Sequence, residues 1–389
     1  MESTPPIQVL QTVVDPQVID LGVGNPPPAA LPLEIIRRAA ETQLNLPERD
    51  FLQYGAELGD GYLRRTLAQF LEKQQSAPVS PPELLITSGA SSALDLICTL
   101  FTQPGDTVFV EEPSYFLALR IFADHRLRLV GIPVDEGGLN LEALQAALAQ
   151  HRPALLYTIP AFQNPSGISL AQERRQRLVE LSREHDFLIV ADEVYQFLYY
   201  ADRPPVPLAA YTGQGNIFSL GSFSKILAPG LRLGWIQTRP ELARRIAACG
   251  LLDSGGGMNP FTSAIVRWLV ESGELQAHIA GLRTVYARRA AALHAALSVH
   301  LPQIAYHRSR GGYFFWVPLP GGIDAGDFLP HAARFKVGFR PGVNFSCSGG
   351  LRDHMRLCFA YYGEEELALG VERLAEALAA YLAGSRSGA

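Results

Sequence analysis

Lys225 is the residue of this chain whose type and surroundings first suggest chemistry. Only Lys73, Lys225 and Lys336 are lysines among the 33 basic residues, and the others are arginines. Lys225 lies in an apolar stretch punctuated by glycine and proline, over residues 222–234. A buried lysine has a lowered pKa, and its neutral amine can form a Schiff base with a carbonyl compound. A general preference for arginine would also make any lysine look unusual, so Lys225 alone leaves catalysis and composition open.

An acidic partner for such an amine follows an apolar stretch at residues 187–190. Asp192 and Tyr195 come directly after this predicted strand. Pyridoxal phosphate (PLP) is an aldehyde cofactor that binds a lysine and takes an acidic or arginine partner at its pyridine nitrogen. Asp192 suits that position, and Tyr195 could donate a hydrogen bond to the ring oxygen. The alternative for Asp192 is a cap on the following helix.

Three further segments offer groups for the rest of such a cofactor. Asn164 follows the predicted strand at 155–159, and its amide could donate to the ring oxygen. Residues 88–91 join a predicted strand to a helix, and the free N–H groups of a helix start bind phosphate. Ser222 and Arg232 flank Lys225 and could add a hydroxyl and a guanidinium. Helix capping and the abundance of arginine are the alternatives for these residues.

The elements that must position these residues alternate between strand and helix. Apolar stretches without polar alternation predict strands at 84–87, 107–110, 155–159, 187–190, 217–220 and 233–236. Helical patterns follow at about 91–101 and 171–185. Such strands indicate an α/β fold with a mainly parallel sheet flanked by helices, in which the loops after the strands build the site.

The C-terminal third has a different pattern and predicts a smaller α+β domain. Helices are expected at about 273–300, 325–335 and 364–382, and strands at 312–317 and 355–359. The proline-rich residues 24–28 predict an extended arm. We therefore expect three segments: an N-terminal arm that forms part of the small domain (1–45), a large domain (46–275) and the C-terminal small domain (276–389).

Composition excludes several classes of protein. A net charge of −5 and a pI near 6.0 argue against a basic surface for binding nucleic acid. The four cysteines lack paired spacing, which predicts neither disulfides nor a metal site. The first residues lack the features of a signal peptide, and no apolar stretch has transmembrane length. We expect a cytoplasmic protein without membrane or nucleic-acid partners.

Together with further motifs in the same order, these residues resemble the fold-type I PLP-dependent aminotransferases of class I and II. The resemblance covers nearly the whole chain. The motifs that carry it are Tyr54-Gly55 with Gly59, Gly89-Ala90-Ser91, Pro104-Gly105-Asp106 with Glu112-Pro113 and Tyr115, Asn164-Pro165-Ser166-Gly167, Asp192 with Tyr195, Ser222 with Lys225, Arg232 and Gly234, Gly311-Gly312-Tyr313-Phe314 with Trp316, Pro341-Gly342, and Arg356-Leu357 with Phe359. It implies a seven-stranded type of large-domain sheet.

The resemblance also implies roles around the cofactor ring. Lys225 would hold PLP as a Schiff base and transfer the proton. Asp192 would pair with the pyridinium, Asn164 and Tyr195 would bind the ring oxygen, and Tyr115 would stack on the ring. For Tyr115, a place in the core is the alternative.

Further roles concern the phosphate and the substrate. Phosphate would be bound by the Ala90 and Ser91 backbone together with Ser222 and Arg232. Tyr54 would reach the phosphate of a neighbouring subunit, which implies a homodimer with shared active sites.

For the substrate, the resemblance implies that Arg356 clamps the α-carboxylate, with a surface arginine as the alternative. Gly24 would lie beside that carboxylate, and Asn164 would also contact the substrate.

The chain departs from the family pattern at two places. Many relatives carry Ser or Thr at the Ala90 position and Gln after it, so Ala90 and Ser91 remove one contact to the phosphate and shorten another. Residues 254–259 form an unusual glycine-rich loop. We predict that it opens room near the substrate side chain or the partner subunit.

The implied activity is exchange of an amino group between an L-amino acid and a 2-oxo acid, with 2-oxoglutarate as the expected acceptor. Two alternatives stay open. A PLP-dependent C–S β-lyase would use the same lysine and ring contacts. A regulatory binding module would resemble the chain too, but such regulators carry a helix-turn-helix domain in front, and no basic recognition helix precedes the arm here. The sequence does not identify the donor amino acid.

Overall fold

The computed structural model describes residues 10–75 and 77–386. Its strands are Ile19–Asp20 (β1), Leu84–Thr87 (β2), Thr107–Glu112 (β3), Arg128–Asp135 (β4), Gly138–Leu139 (β5), Pro153–Thr158 (β6), Leu188–Asp192 (β7), Ile217–Ser222 (β8), Gly234–Gln237 (β9), Phe314–Pro318 (β10), Val337–Gly338 (β11), Arg340–Pro341 (β12) and His354–Cys358 (β13). Its helices are Leu33–Leu44 (α1), Gly61–Gln75 (α2), Ala90–Phe101 (α3), Phe116–Asp124 (α4), Leu141–Leu148 (α5), Gln172–His185 (α6), Pro240–Ala247 (α7), Gly250–Gly255 (α8), Pro260–Glu271 (α9), Glu274–His300 (α10), Ala325–Arg334 (α11) and Glu364–Arg386 (α12).

The large sheet has the strand order β2-β9-β8-β7-β6-β3-β4-β5. Pairing is parallel from β8 through β7, β6 and β3 to β4, whereas β9 runs antiparallel to both of its neighbours. The eighth strand, β5, is a two-residue antiparallel addition at one edge. This topology confirms the predicted α/β fold with a mainly parallel sheet of the seven-stranded type.

Both faces of this sheet are buried, which explains why its strands lack polar alternation. Val108 and Val110 belong to one hydrophobic core, while Phe109 between them belongs to a second core. Leu155 and Leu156 divide between the two cores in the same way. Successive side chains of a strand point to opposite faces, so each face needs its own apolar set and its own covering helices.

The parallel strands bring four polar residues to one edge of the sheet. Glu112, Thr158, Asp192 and Ser222 are the last residues of β3, β6, β7 and β8. Because these strands are parallel neighbours, their carboxyl ends lie side by side. The loops that carry the predicted chemistry therefore start from a common edge.

A three-stranded antiparallel sheet, β10-β13-β12, forms the centre of the C-terminal third. The N-terminal arm joins this part through β1, which pairs in parallel with β11. In contrast, α1 packs on α9, which lies within the segment expected to form the large domain. The exact division at residues 45 and 275 stays a prediction. None of the described helices has the length and apolar character needed to cross a membrane.

Candidate active site

Lys225 lies in the loop that follows β8, close to the N-terminal arm. Its Nζ donates a hydrogen bond to the Gly24 carbonyl at 3.4 Å and lies 5.5 Å from the centre of the Tyr313 ring. The Tyr313 hydroxyl in turn donates to the Lys225 carbonyl at 3.3 Å. Burial lowers the pKa of Lys225 to about 8, because desolvation disfavours the ammonium form. The amine is therefore much easier to deprotonate than that of an exposed lysine.

Asp192, at the end of β7, is a buried carboxylate with one free oxygen. Its Oδ2 accepts a hydrogen bond from the Tyr157 hydroxyl at 2.8 Å. Its Oδ1 has no partner among the described residues. Burial raises the pKa of Asp192 to about 6, and the Tyr157 hydrogen bond and the nearby Val194 amide offset only part of that effect. A buried acceptor without a partner is costly for the protein alone and indicates a site built for an added donor.

Arg356, on β13, is a second buried charge facing the same region. It is 2% exposed, and it donates to the Gly22 carbonyl at 2.7 Å and to Asn164 Oδ1 at 3.0 Å. Its guanidinium carbon lies 4.1 Å from the centre of the Phe314 ring. Burial lowers its pKa to about 10, so it stays cationic at neutral pH. Nε has no partner in the described part of the chain, which leaves donor capacity for an anion.

The start of α3 provides a helix N-terminus without a side-chain cap. Gly89 is the N-cap residue with φ of 91°, and Ala90 and Ser91 begin the helix. Arg232 lies beside it, because its Nη2 donates to the Ser88 carbonyl at 3.1 Å and would be 3.0 Å from a Cβ on Gly89. Free N–H groups and a guanidinium together favour an anion such as phosphate.

Ser222, the last residue of β8, is buried. Its hydroxyl oxygen accepts a hydrogen bond from the Ser224 amide at 3.1 Å. That contact uses the oxygen as an acceptor and leaves its proton free to donate.

The two predicted ring-contacting tyrosines lie in this region as well. Tyr195 is buried, with ring centres 5.4 Å from Tyr313 and 6.0 Å from Phe314. Tyr115 directly precedes α4. Burial and the nearby charge of Asp192 raise the pKa of Tyr115 to about 12. Burial also raises the pKa of Tyr195, so both hydroxyls stay protonated in the free protein.

Tyr54 lies at the surface of its own chain, where it is 84% exposed. Gly55 next to it forms a β-bridge with Gly257 of the glycine-rich loop. At this bridge the loop offers no extra room, since a Cβ on Gly256 would lie 2.4 Å from the Gly55 carbonyl oxygen. A Cβ on Gly255, in contrast, would have no neighbouring atom within 4 Å. Close backbone packing, which only glycine permits, is therefore one physical reason for the loop's composition.

Tyr157 is a positioning residue that sequence reasoning missed. It lies on β6 opposite Val190 of β7, two residues before Asp192. Its position in an apolar strand is typical of a core residue, and only the strand pairing shows that its hydroxyl reaches the carboxylate.

Glu111 is the other group that was missed, and it supports the loop that carries Asn164. This buried carboxylate accepts hydrogen bonds from the Thr158 hydroxyl at 2.6 Å, the Ile159 amide at 3.0 Å and Gln163 Nε2 at 2.8 Å. The available signal was an acidic residue directly after the apolar stretch 107–110, which the structure includes in β3.

These groups fit PLP. The half-buried amine of Lys225 suits its aldehyde, and the Oδ1 of Asp192 suits a protonated ring nitrogen. The start of α3 with Arg232 suits its phosphate. The Oδ1 of Asp192 is the most specific of these observations, because it forms no hydrogen bond within the described part of the chain.

Comparison with known proteins agrees with this arrangement. The family described as "Aminotransferase class I and II" matches residues 16–374. Among curated proteins, an "Aromatic-amino-acid aminotransferase 1" of Thermococcus litoralis is 36% identical, covering 95% of this chain and 90% of the relative. A "2-aminoadipate transaminase" of Thermus thermophilus is 33% identical, covering 97% and 94%.

A solved structure is similar over nearly the full length. The kynurenine aminotransferase of Pyrococcus horikoshii, in complex with PMP, superimposes with a TM-score of 0.89 at 35% identity. The match covers 94% of this chain and 92% of that one. The similarity therefore includes the C-terminal third as well as the large sheet.

Proposed function

The chain belongs to the PLP-dependent aminotransferases of class I and II, and we propose that Lys225 is the residue that binds the cofactor covalently and moves the proton during amino-group exchange. The predicted family, enzyme class and cofactor are thereby confirmed, while the roles of individual residues are proposals. The observation that carries the proposal is the pair formed by a half-buried, easily deprotonated Lys225 and an Asp192 oxygen without a hydrogen-bond partner among the described residues.

Bound PLP supplies an electron sink, which makes the Cα proton of an attached amino acid acidic. In our proposal Asp192 keeps the ring nitrogen protonated, and the Tyr157 hydroxyl holds the carboxylate in place. The positive ring nitrogen would remove the cost of burying an uncompensated carboxylate. Asp192 would therefore be ionised when the cofactor is bound.

Lys225 acts in this proposal as base and then as acid through its Nζ. A pKa near 8 lies close to neutral pH, where both forms of the amine are populated and proton transfer in either direction is efficient. The Gly24 carbonyl, 3.4 Å from Nζ, orients the amine towards the arm side of the site.

Arg356 holds the substrate α-carboxylate in this proposal. Asn164 and the Gly22 carbonyl each take one donor and fix the plane of the guanidinium. A Cβ on Gly24 would lie 3.2 Å from Nη2, so the glycine keeps the approach to that nitrogen open. The carboxylate would add the anion that this buried cation lacks.

Phosphate binding is proposed for the start of α3. The backbone N–H groups of Ala90 and Ser91 would donate to it, with Ser222 and Arg232 adding side-chain donors. Tyr115 and Tyr195 would contact the ring of the same cofactor.

The substrates are proposed to include an amino acid with a large side chain and 2-oxoglutarate as acceptor. Phe314, Trp316 and Phe345 lie around Arg356, and Trp316 and Phe345 have ring centres 5.5 Å apart. The relatives named for aromatic amino acids, 2-aminoadipate and kynurenine support a large donor.

A homodimer with shared sites is also proposed, on the support of the exposed Tyr54. An exposed aromatic residue suits a contact with a second copy. The cytoplasmic location stays a prediction.

A single experiment tests the assignment of Lys225. Purified wild-type protein, Lys225→Ala and the matched control Lys73→Ala, which changes an exposed lysine of α2, are loaded with PLP. Each is then reduced with borohydride and analysed by peptide mass spectrometry, and glutamate formed from 2-oxoglutarate and a donor pool is measured.

We expect the cofactor mass on the Lys225 peptide, together with glutamate formation, in wild type and Lys73→Ala only. The loss of transamination in Lys225→Ala should exceed 100-fold, the usual contribution of a general acid–base group. Cofactor mass on another lysine, or turnover retained in Lys225→Ala, would refute the assignment. Release of pyruvate and ammonia from a cysteine conjugate without an acceptor would favour the β-lyase instead.

A further inference from the structure

Arg340 occupies a register position beside the proposed carboxylate-binding arginine. In the β10-β13-β12 sheet, Arg340 of β12 lies directly opposite Arg356 of β13, which lies opposite Trp316 of β10. Directly opposed residues of antiparallel strands project from the same face of the sheet. The side chains of Arg340 and Arg356 therefore start as neighbours and face the same region.

Aromatic rings link the two guanidinium groups. The Arg340 guanidinium carbon lies 5.2 Å from the ring centre of Phe116, and that of Arg356 lies 5.1 Å from the ring centre of Phe345. The two rings pack edge to face with centres 5.5 Å apart. Phe116 directly follows Tyr115, which would stack on the cofactor. Arg340 is thus positioned at the border of the proposed substrate site.

Arg340 also lacks any anionic partner of its own. Within the described part of the chain its side chain forms the contact with Phe116 and no hydrogen bond or ion pair. Its side chain is half-buried and within reach of solvent. The contact with a ring face leaves the N–H groups at the edge of the guanidinium free, and these form the fork that matches a carboxylate.

We propose that Arg340 binds an anionic group at the far end of the substrate side chain, so that the enzyme favours amino and 2-oxo acids with a distal carboxylate. This inference rests on the proposed function, since Arg356 must hold the α-carboxylate for Arg340 to meet the other end. Two cations on one sheet face repel each other, and a substrate with two carboxylates neutralises both. Phe116 and Phe345 would contact the aliphatic carbons between the two carboxylates.

The test compares two donors that differ only at the far end of the side chain. 2-Aminoadipate carries a distal carboxylate where norleucine carries a methyl group. The ratio of kcat/KM for the two donors is measured in wild type, in Arg340→Gln and in the control Arg334→Gln, which removes an exposed charge of α11. Each donor is measured in the first half-reaction alone, without a 2-oxo acid acceptor, so that the reaction with norleucine also reports whether each variant is folded.

We expect Arg340→Gln to lower kcat/KM for 2-aminoadipate by about 10- to 100-fold, the effect of one charge-assisted hydrogen bond. The change should lie mainly in KM, because the contact is as strong in the ground state as in the transition state. Norleucine should change by less than about 2-fold, and Arg334→Gln should leave the ratio unchanged. Equal effects on both donors, or no effect on either, would overturn the proposal.

Calorimetry separates this proposal from the proposed function. Glutarate, a dicarboxylate, and valerate, the monocarboxylate with the same carbon chain, are titrated into the PLP-loaded protein. Tighter binding of glutarate in wild type, lost in Arg340→Gln, supports the role of Arg340 even if no donor is turned over. Equal binding of the two acids by wild type contradicts it even in an active aminotransferase.

Discussion

Replacing Asp192 with asparagine should stabilise the cofactor-free protein while it impairs the enzyme. The carboxylate is buried, and Oδ1 has no partner among the described residues. Its folded-state pKa of about 6 is raised above the ordinary value of 3.8, so the folded protein resists ionisation that the unfolded chain permits. Ionisation of Asp192 therefore costs folding free energy, and the cost grows as the pH rises from about 4 to 6. Above that range it is constant.

The magnitude follows from the two pKa values. Linkage gives a cost of about 1.5 kcal/mol at pH 5 and about 3 kcal/mol at pH 7. Asparagine has nearly the same shape, keeps an oxygen for the Tyr157 hydroxyl and never ionises. We therefore expect Asp192→Asn to raise the free energy of unfolding of the apoprotein at both pH values, by about twice as much at pH 7 as at pH 5.

The assay is urea unfolding of apoprotein at pH 5 and pH 7, below the pKa of Lys225, so that the lysine keeps its charge. Asp135→Asn is the control of opposite sign. Its partner Arg174, 2.6 Å away, lowers the pKa of Asp135, so its stabilising effect is present at neutral pH and lost on acidification. The Asp135 variant should be destabilised at pH 7. If Asp192→Asn did not raise the free energy of unfolding, or raised it equally at both pH values, the reasoning would be refuted.

Three further predictions follow from the same site and its supports. The rate at which apoprotein captures PLP covalently, measured by absorbance, should rise through pH 8 because the pKa of Lys225 is about 8. A midpoint of this rate increase above pH 10 would contradict the desolvation of Lys225. Tyr157→Phe removes a hydrogen bond that lowers the pKa of Asp192. The apoprotein should therefore lose about 1 to 3 kcal/mol of stability, and the midpoint of the Asp192 pH effect should rise. Unchanged urea-unfolding curves would show that the hydroxyl is unimportant. Gly257→Ala places a Cβ 1.9 Å from the Ala56 carbonyl oxygen, so it should lower the melting temperature by several degrees. An unchanged melting temperature would show that the backbone of this segment adjusts without cost.

Several elements were predictable because their signals are local. Apolar stretches bounded by glycine and proline indicated β2, β3, β6, β7, β8 and β9, and the helical pattern at 171–185 matches α6 within one residue. β4 was not predicted, because its exposed arginine and its proline interrupt the apolar pattern. Its place in the sheet depends on pairing with β3, which is a long-range contact.

The chemical inventory of the site was also evident from the sequence, because residue types and loop positions suffice to suggest it. A rare lysine in an apolar stretch and an aspartate after a buried strand indicated the amine and the carboxylate. The reason these two residues meet is the parallel order of β7 and β8.

Pairing and direction were decided only by the tertiary structure. That Tyr157 reaches Asp192, that Arg340 stands opposite Arg356, and that Oδ1 of Asp192 is left without a partner all depend on the register between strands. Register is set by the whole pattern of burial across a sheet, and neighbours in a sheet can be many residues apart in the chain. The sequence by itself therefore determined which chemical groups this protein has, and the fold decided which of them face one another.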